Sequence, residues 1–349
     1  MKSRKTIILL LVFSFLVLSS QLIFAQEATE NEENVTDNQV IEKEEIVVEK
    51  ETVVEKETII KEPVNNNVNF FHEGLKLYYE KRYEDSLESF KDALQDDPLN
   101  AMALSFYLSA AYQANKLIPV VNELEEQAME NNEAPALKSQ VGIAYFVRSR
   151  LDPSFMEEAR SVLKDALTRE HELSIANTGM GMLYYQKRLM PRAKGYFVNA
   201  LRSNPNDVMA LERLGDIVMI DDANPQEALE IFKRLVAVDP EYSDGYFYLG
   251  SAQEKLKNYD EAIENFEACM DKDPMGVLKG YYAPIRIGDI YLDQEKWEEA
   301  EKYYNKALGI NPDNPYVKTQ LEKAKRKGKA WKGDKVDPFK DKFMKDQEW

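Results

Sequence analysis

The 349-residue chain is poor in the residues on which most catalytic chemistry depends. It has one cysteine, Cys269, and two histidines, His72 and His171. A single thiol closes no intramolecular disulfide, so an oxidising compartment is neither required nor excluded. A Cys–His nucleophile pair would need Cys269 exposed, whereas it stands on an apolar helix face, where a small core residue is expected. Glycine and proline number only 14 each, and no stretch has the alternation of a strand-rich fold. Positive charge is scarce: 45 Lys and Arg face 62 Asp and Glu, a formal net charge of −17. That excludes a protein that grips nucleic acid along its length.

Site motifs are equally thin. Gly328 to Lys335 echoes a phosphate loop, but Asp334 holds the lysine position, no Ser or Thr follows, and no strand precedes it. Asp271, Asp273 and Gly276 hint at a calcium loop, yet Met275 and Tyr282 stand where oxygen ligands belong. No two carboxylates stand out as an acid–base couple. The expectation is a protein that is not an enzyme, with no catalytic residue, cofactor or metal.

What the chain does have is a pattern, clearest over Tyr246–Pro274, "YFYLGSAQEKLKNYDEAIENFEACMDKDP". Two short helical segments flank a polar turn at Lys257–Asn258. Gly250 lies on the first, where the missing side chain permits close approach. On the second, Ala262, Phe266 and Cys269 recur at i, i+4, i+7 and set one ring between two small residues on one face. Pro274 closes the segment. The pattern returns with a period near 34. Gly74, Gly142, Gly181, Gly215, Gly250 and Gly288 share one phase. Ser86, Ala159, Ala193, Ala228, Ala262 and Ala300 share a second, and Phe90, Phe197, Phe232, Phe266 and Tyr304 a third. Pro98, Pro205, Pro240, Pro274 and Pro312 close units. One such hairpin cannot bury its apolar face alone, but stacked copies can.

This resembles the tetratricopeptide repeat, whose signature runs Leu-Gly, Tyr, Ala, Phe, Ala and Pro over 34 residues. The resemblance implies an all-α fold: a right-handed superhelical solenoid of about seven helix-turn-helix units over residues 67–314, then a capping helix over 315–327. Unit 2 lacks the glycine, and unit 3 carries an insertion around Arg148–Phe155. The resemblance also implies an inner wall lined by the first helix of each unit. There Tyr78, Tyr112, Phe146, Tyr185 and Met219 form an aromatic-rich ladder, giving way to Glu254 and Leu292. Rings at these positions serve either packing or partner binding. Arg213 and Arg286 are expected to pair with Asp216 and Asp289, three residues on.

The flanks differ from the array. Lys2, Arg4 and Lys5 precede the apolar run Ile7–Leu18, and a small residue, Ala25, follows. Residues 1–25 read as a secretory signal or, uncleaved, as a membrane anchor. Residues 26–66 are an acidic low-complexity spacer; residues 26–62 hold 13 acidic and 4 basic groups, net −9. Its six-residue repeat "EIVVEK", "ETVVEK", "ETIIKE" suits an extended spacer or a strand added to a partner sheet. Residues 328–349 form a tail in which Trp331, Phe339, Phe343 and Trp349 interleave with lysines. It reads as a solvated end or as a docking peptide or anionic-surface contact.

The expected function is a non-enzymatic, extracytoplasmic scaffold, periplasmic or secreted, that binds partner proteins through its groove in envelope, secretion or motility machinery. The alternatives are a membrane-tethered spacer and a regulatory subunit of an envelope complex. The partners are proteins; the N-terminal segment and the basic tail are the two candidates for membrane association.

Overall fold

The structure is a computed structural model that describes residues 69–131, 134–273, 276 and 279–333, with side chains as far as Gly328. These lie in one compact unit, Asn67–Trp349. The signal or anchor over 1–25, the spacer over 26–66, Phe339, Phe343, Trp349 and the side chain of Trp331 lie outside the described residues, as does Pro274.

Among the described residues there are fifteen α-helices, one 3-10 turn and no strand. They pair as α1 Phe70–Tyr79 with α2 Tyr83–Asp96, α3 Ala101–Gln113 with α4 Leu117–Glu130, and α5 Pro135–Arg148 with α6 Phe155–Arg169. Next come α7 Ser174–Gln186 with α8 Met190–Ser203, and α9 Val208–Ile220 with α10 Pro225–Val238. The last pairs are α11 Ser243–Lys255 with α12 Tyr259–Lys272, and α13 Tyr282–Asp293 with α14 Trp297–Ile310. The final helix, α15, runs Pro315–Gly333. Each helix packs on its hairpin partner and on the next unit, as expected of a helical solenoid. Unit 3 differs where expected, α5 ending at Arg148 and α6 starting at Phe155.

The recurrent glycine and ring meet inside each hairpin. A Cβ on Gly215 would stand 2.4 Å from Phe232, one on Gly181 2.5 Å from Phe197, and one on Gly288 2.7 Å from Tyr304. The glycine therefore leaves a hollow into which the ring of its own unit packs, and Phe90, Phe197, Phe232, Phe266 and Tyr304 are fully buried. Leu163 fills that hollow at Gly142. Unit 2 has Leu108 in the glycine phase, and α3 and α4 pack less closely than the other six hairpins.

The turns repeat as well. Lys81, Asn115, Arg188, Ala223, Lys257 and Glu295, one in each hairpin except unit 3, have φ between 51° and 66°. This left-handed residue lets the chain reverse within a few residues. Asn100, Asp207 and Asn314 then cap the helices that follow, each accepting from a main-chain N–H three residues on.

The final helix is longer than the expected cap, continuing past Lys327 to Gly333. Val317, Leu321 and Ala324 are buried with Ile285, Leu292 and Tyr304 of the last unit. Lys323, Arg326 and Lys327 are exposed on the cap itself, and Lys329 and Lys332 of the expected tail lie on the same helix.

Candidate functional site

The inner wall is built from the first helix of each unit, and in the N-terminal units its positions are largely buried. Phe71 and Leu75 of α1, Ile143 and Phe146 of α5, and Ile175 and Thr178 of α7 are all covered. The cover is the chain itself. α3, apolar around most of its circumference, reaches across to α7 and α9 as well as α5. Ser105 of α3 lies 4.0 Å from the Met182 sulfur of α7. His72 of α1 places Nε2 2.9 and 3.1 Å from the two Asp239 oxygens beyond α10, 167 residues away.

The five ladder residues pack against one core cluster but differ in exposure. Phe146 is buried and offers no surface to a partner. Tyr78 is half-buried among Tyr79, Tyr83 and Phe106, with ring centroids 5.2, 5.4 and 5.7 Å away. Tyr112 and Met219 are half-buried. Tyr185 donates to Asp216 Oδ2 at 2.5 Å and lies 5.5 Å from the Arg213 guanidinium. Burial, then the Asp216 bond, pushes its phenol up to about 12. The ladder gives way to Glu254, half-buried, and to Leu292, buried.

The arginine pairings differ from the expectation. Arg213 reaches Glu212 Oε1 at 3.3 Å, and Arg286 holds Glu254 Oε2 through Nε at 2.9 Å and Nη2 at 2.6 Å. Asp216 and Asp289 take phenols instead: Tyr185 on Asp216, Tyr304 at 2.7 Å and Tyr316 at 2.9 Å on Asp289. Register explains this. A carboxylate on the neighbouring unit, or next in sequence, meets the guanidinium, leaving its own helix's acid to the hydroxyls.

Sequence reasoning passed over a set of buried acids at units 5 and 6. Glu212 accepts from Tyr242 at 2.5 Å and from Tyr248 at 3.4 Å. Asp244 accepts the main-chain N–H of Lys279, and Asp273 that of Gly280, each at 3.0 Å. These two bonds tie the 3-10 turn Lys279–Tyr281 to the wall, and the Lys279 ammonium lies 5.6, 5.4 and 6.0 Å from the Phe247, Tyr248 and Tyr282 rings. The available signal was Asp244, in a phase that Met102, Ile175 and Met209 hold in other units; Glu212 stands in a phase that already includes Ser139 and Thr178. Nothing local in sequence pairs His72 with Asp239.

Neither a metal nor a nucleophile reading gains support. No group of three His, Cys, Asp or Glu side chains suited to a metal occurs among the described residues. Cys269 is buried, and burial pushes its thiol up, which disfavours the reactive thiolate. Asp271 is exposed on α12, while Asp273 is engaged with Gly280.

Models of the tetratricopeptide repeat match residues 72–117, 220–274 and 285–314, so the chain carries such repeats. Among curated proteins it is similar to Superkiller protein 3 of Schizosaccharomyces pombe, 22% identical over 70% of this chain and 18% of that protein. It is also similar to a TPR repeat-containing protein of Methanocaldococcus jannaschii, 23% identical over 72% of this chain and 46% of that protein. Hsp70-Hsp90 organizing protein 3 of Arabidopsis thaliana is 29% identical over 26% of this chain and 16% of its own length. The chain thus spans less than half the length of these curated relatives. Among solved structures it is similar to YrrB, titled a TPR protein with an unusual peptide-binding site, with TM-score 0.42, 21% identity, and 69% and 99% of the two chains covered. MamA from Desulfovibrio magneticus RS-1 gives TM-score 0.44 at 22% identity, covering 51% and 97%.

Proposed function

We propose that the protein is a non-enzymatic, extracytoplasmic scaffold that binds partner proteins along the half of its inner wall left open. Tetratricopeptide repeats are protein–protein interaction scaffolds in general. One observation carries the location of the site: the wall of units 1 to 4 is covered by the chain itself, while side chains of units 5 to 7 and the cap reach solvent. Tyr282 and Tyr316 are exposed there, beside half-buried Met219, Phe247, Arg286 and Asp289. Rings with hydroxyls, beside a guanidinium held in place, suit an extended peptide with aromatic residues. Tyr185 and Met219 remain candidate contacts at the near end, whereas Tyr78 and Tyr112, at the covered end, pack against the core of the chain itself. The tail rings Trp331, Phe339, Phe343 and Trp349 supply a second contact in this reading.

The extracytoplasmic placement rests on residues 1–25, and a role in envelope, secretion or motility machinery rests on that placement. N-terminal sequencing of the mature protein tests it: a start near Gln26 supports secretion, whereas retained Ile7–Leu18 supports a tether. Crosslinking in intact cells with mass spectrometry tests the wall. Tyr282→Ala with Tyr316→Ala should lose the crosslinked partners, and Tyr78→Ala with Tyr112→Ala should keep them. The reverse pattern would move the site to the covered units.

A further inference from the structure

The two edges of the helix stack carry opposite charge, a feature the proposed binding face does not use. The turns inside units 1 to 4 cover 80–82, 114–116, 149–154 and 187–189. They hold six cations, Lys81, Arg82, Lys116, Arg150, Lys187 and Arg188, against two acids, Glu80 and Asp152. Connections at the opposite edge, 97–100, 170–173 and 204–207, hold four acids and no Lys or Arg. The first helices of these units pack side by side, α1 on α3, α3 on α5 and α5 on α7, so the turns that end them form one rim. Along it Lys116 reaches Glu84 of the unit before, and Lys187 reaches Glu157, each at 2.8 Å. Arg82 holds Asp85, and Asp152 accepts from Ser154. Lys81, Arg150 and Arg188 are exposed and form no ion pair among the described residues.

The same turns lift aliphatic chains into solvent. Ile118, Leu151 and Leu189, one each in units 2, 3 and 4, are 49%, 54% and 41% exposed. An exposed proline follows each within two residues: Pro119, Pro153 and Pro191. A proline brings no N–H to be stranded when a turn leaves water. Single exposed aliphatics are ordinary. Here three occur in consecutive turns, each within two residues of a cation. In unit 5 the exposed aliphatic, Ile220, is followed by Asp221 and Asp222 instead, and the pattern stops.

We propose that this rim of units 1 to 4 seats on a bilayer of anionic phospholipid, its cations on the phosphates and its three aliphatic chains among the acyl chains. A bilayer accepts separated aliphatic side chains without a matching pocket, and anionic headgroups complement the cations. An acidic protein would need a pocket for each chain. A nucleic acid strand would call for exposed rings, and none stands among these turns. The contact involves neither residues 1–25 nor the tail, and it uses none of the side chains named for the open wall.

The test places a polarity-sensitive dye on the rim of the full chain. It is attached at Leu151→Cys or, on the opposite edge, at Asn206→Cys, both exposed positions; buried Cys269 stays unlabelled. Vesicles of phosphatidylglycerol and phosphatidylcholine should shift the emission at 151 to the blue and leave 206 unchanged. Phosphatidylcholine alone, or the mixture in about 1 M salt, should shift neither. Lys81→Gln with Arg188→Gln should raise the lipid concentration at half-shift by about tenfold or more. No response at 151, an equal response at both positions, or a shift indifferent to anionic lipid would overturn the rim contact. So would an unchanged half-shift concentration in the double variant. A shift with soluble polyglutamate and none with vesicles would reassign the rim to an acidic protein and overturn the bilayer. The dye reports on the rim itself, so attachment through residues 1–25 cannot imitate success. No protein partner is present, so the scaffold reading stands or falls separately.

Discussion

Gly215 and Gly309 show how far context decides what one residue does. A Cβ on Gly215 meets Phe232 at 2.4 Å, and one on Gly309 meets nothing within 4 Å. Gly215→Ala should therefore destabilise by about 1–3 kcal/mol through overpacking. Gly309→Ala, in a helix with room, should stabilise by up to about 1 kcal/mol. Urea unfolding of both variants checks the pair, and equal midpoints would refute the ring-in-hollow account. Asp207 is a second case. It caps α9 through Ala210 and receives Ser174 at 3.0 Å and Thr178 at 2.7 Å, so it ties unit 4 to unit 5. Asp207→Ala strands two hydroxyls and should cost about 1–3 kcal/mol. Burial raises its carboxyl despite these donors. Its contribution is therefore greatest below the ordinary carboxylate range and falls as pH rises, and Asp207→Asn should flatten that part of the pH–stability curve.

At the scale of the element, the hairpin turn is the constant feature. Six of the seven units place one non-glycine residue in the left-handed region, a conformation that costs such a residue roughly 1 kcal/mol or more. Ala223, at φ 51°, has no side-chain hydrogen bond to offset this. Ala223→Gly should raise the melting temperature, by up to about 1 kcal/mol of added stability after the unfolded-state entropy of glycine is counted. A lowered melting point would mean that the alanine methyl has a packing role. α3 behaves differently from its counterparts. With Leu108 in the glycine phase, α3 and α4 do not nest as the other hairpins do, and the apolar surface of α3 is buried across the wall on α5, α7 and α9.

At the scale of the molecule, two rules act together. Neighbour-to-neighbour stacking makes the C-terminal end separable: Leu321→Asp should open the α15 contact and expose α13 and α14 to hydrogen exchange, leaving α5 to α8 protected. Loss of protection throughout would show one cooperative block. The contacts of α1 and α3 across the wall break that one-dimensional rule for units 1 to 6, which should exchange as a larger unit.

The period, the helical class, the glycine–ring phases and the unit 3 break could all be read from residue order, because each arises within about 34 neighbouring residues where periodicity and proline act. Which wall residues a partner can reach could not. Phe146 and Tyr185 occupy the same phase, yet one is buried and the other half-exposed, because separate segments of the chain meet across the wall. The same holds for Arg213 and Arg286, whose acids come from the preceding position or the preceding unit rather than from three residues on. Local sequence set the hairpins; the curvature that brings His72 to Asp239 accumulates over many units and appears only when they are stacked.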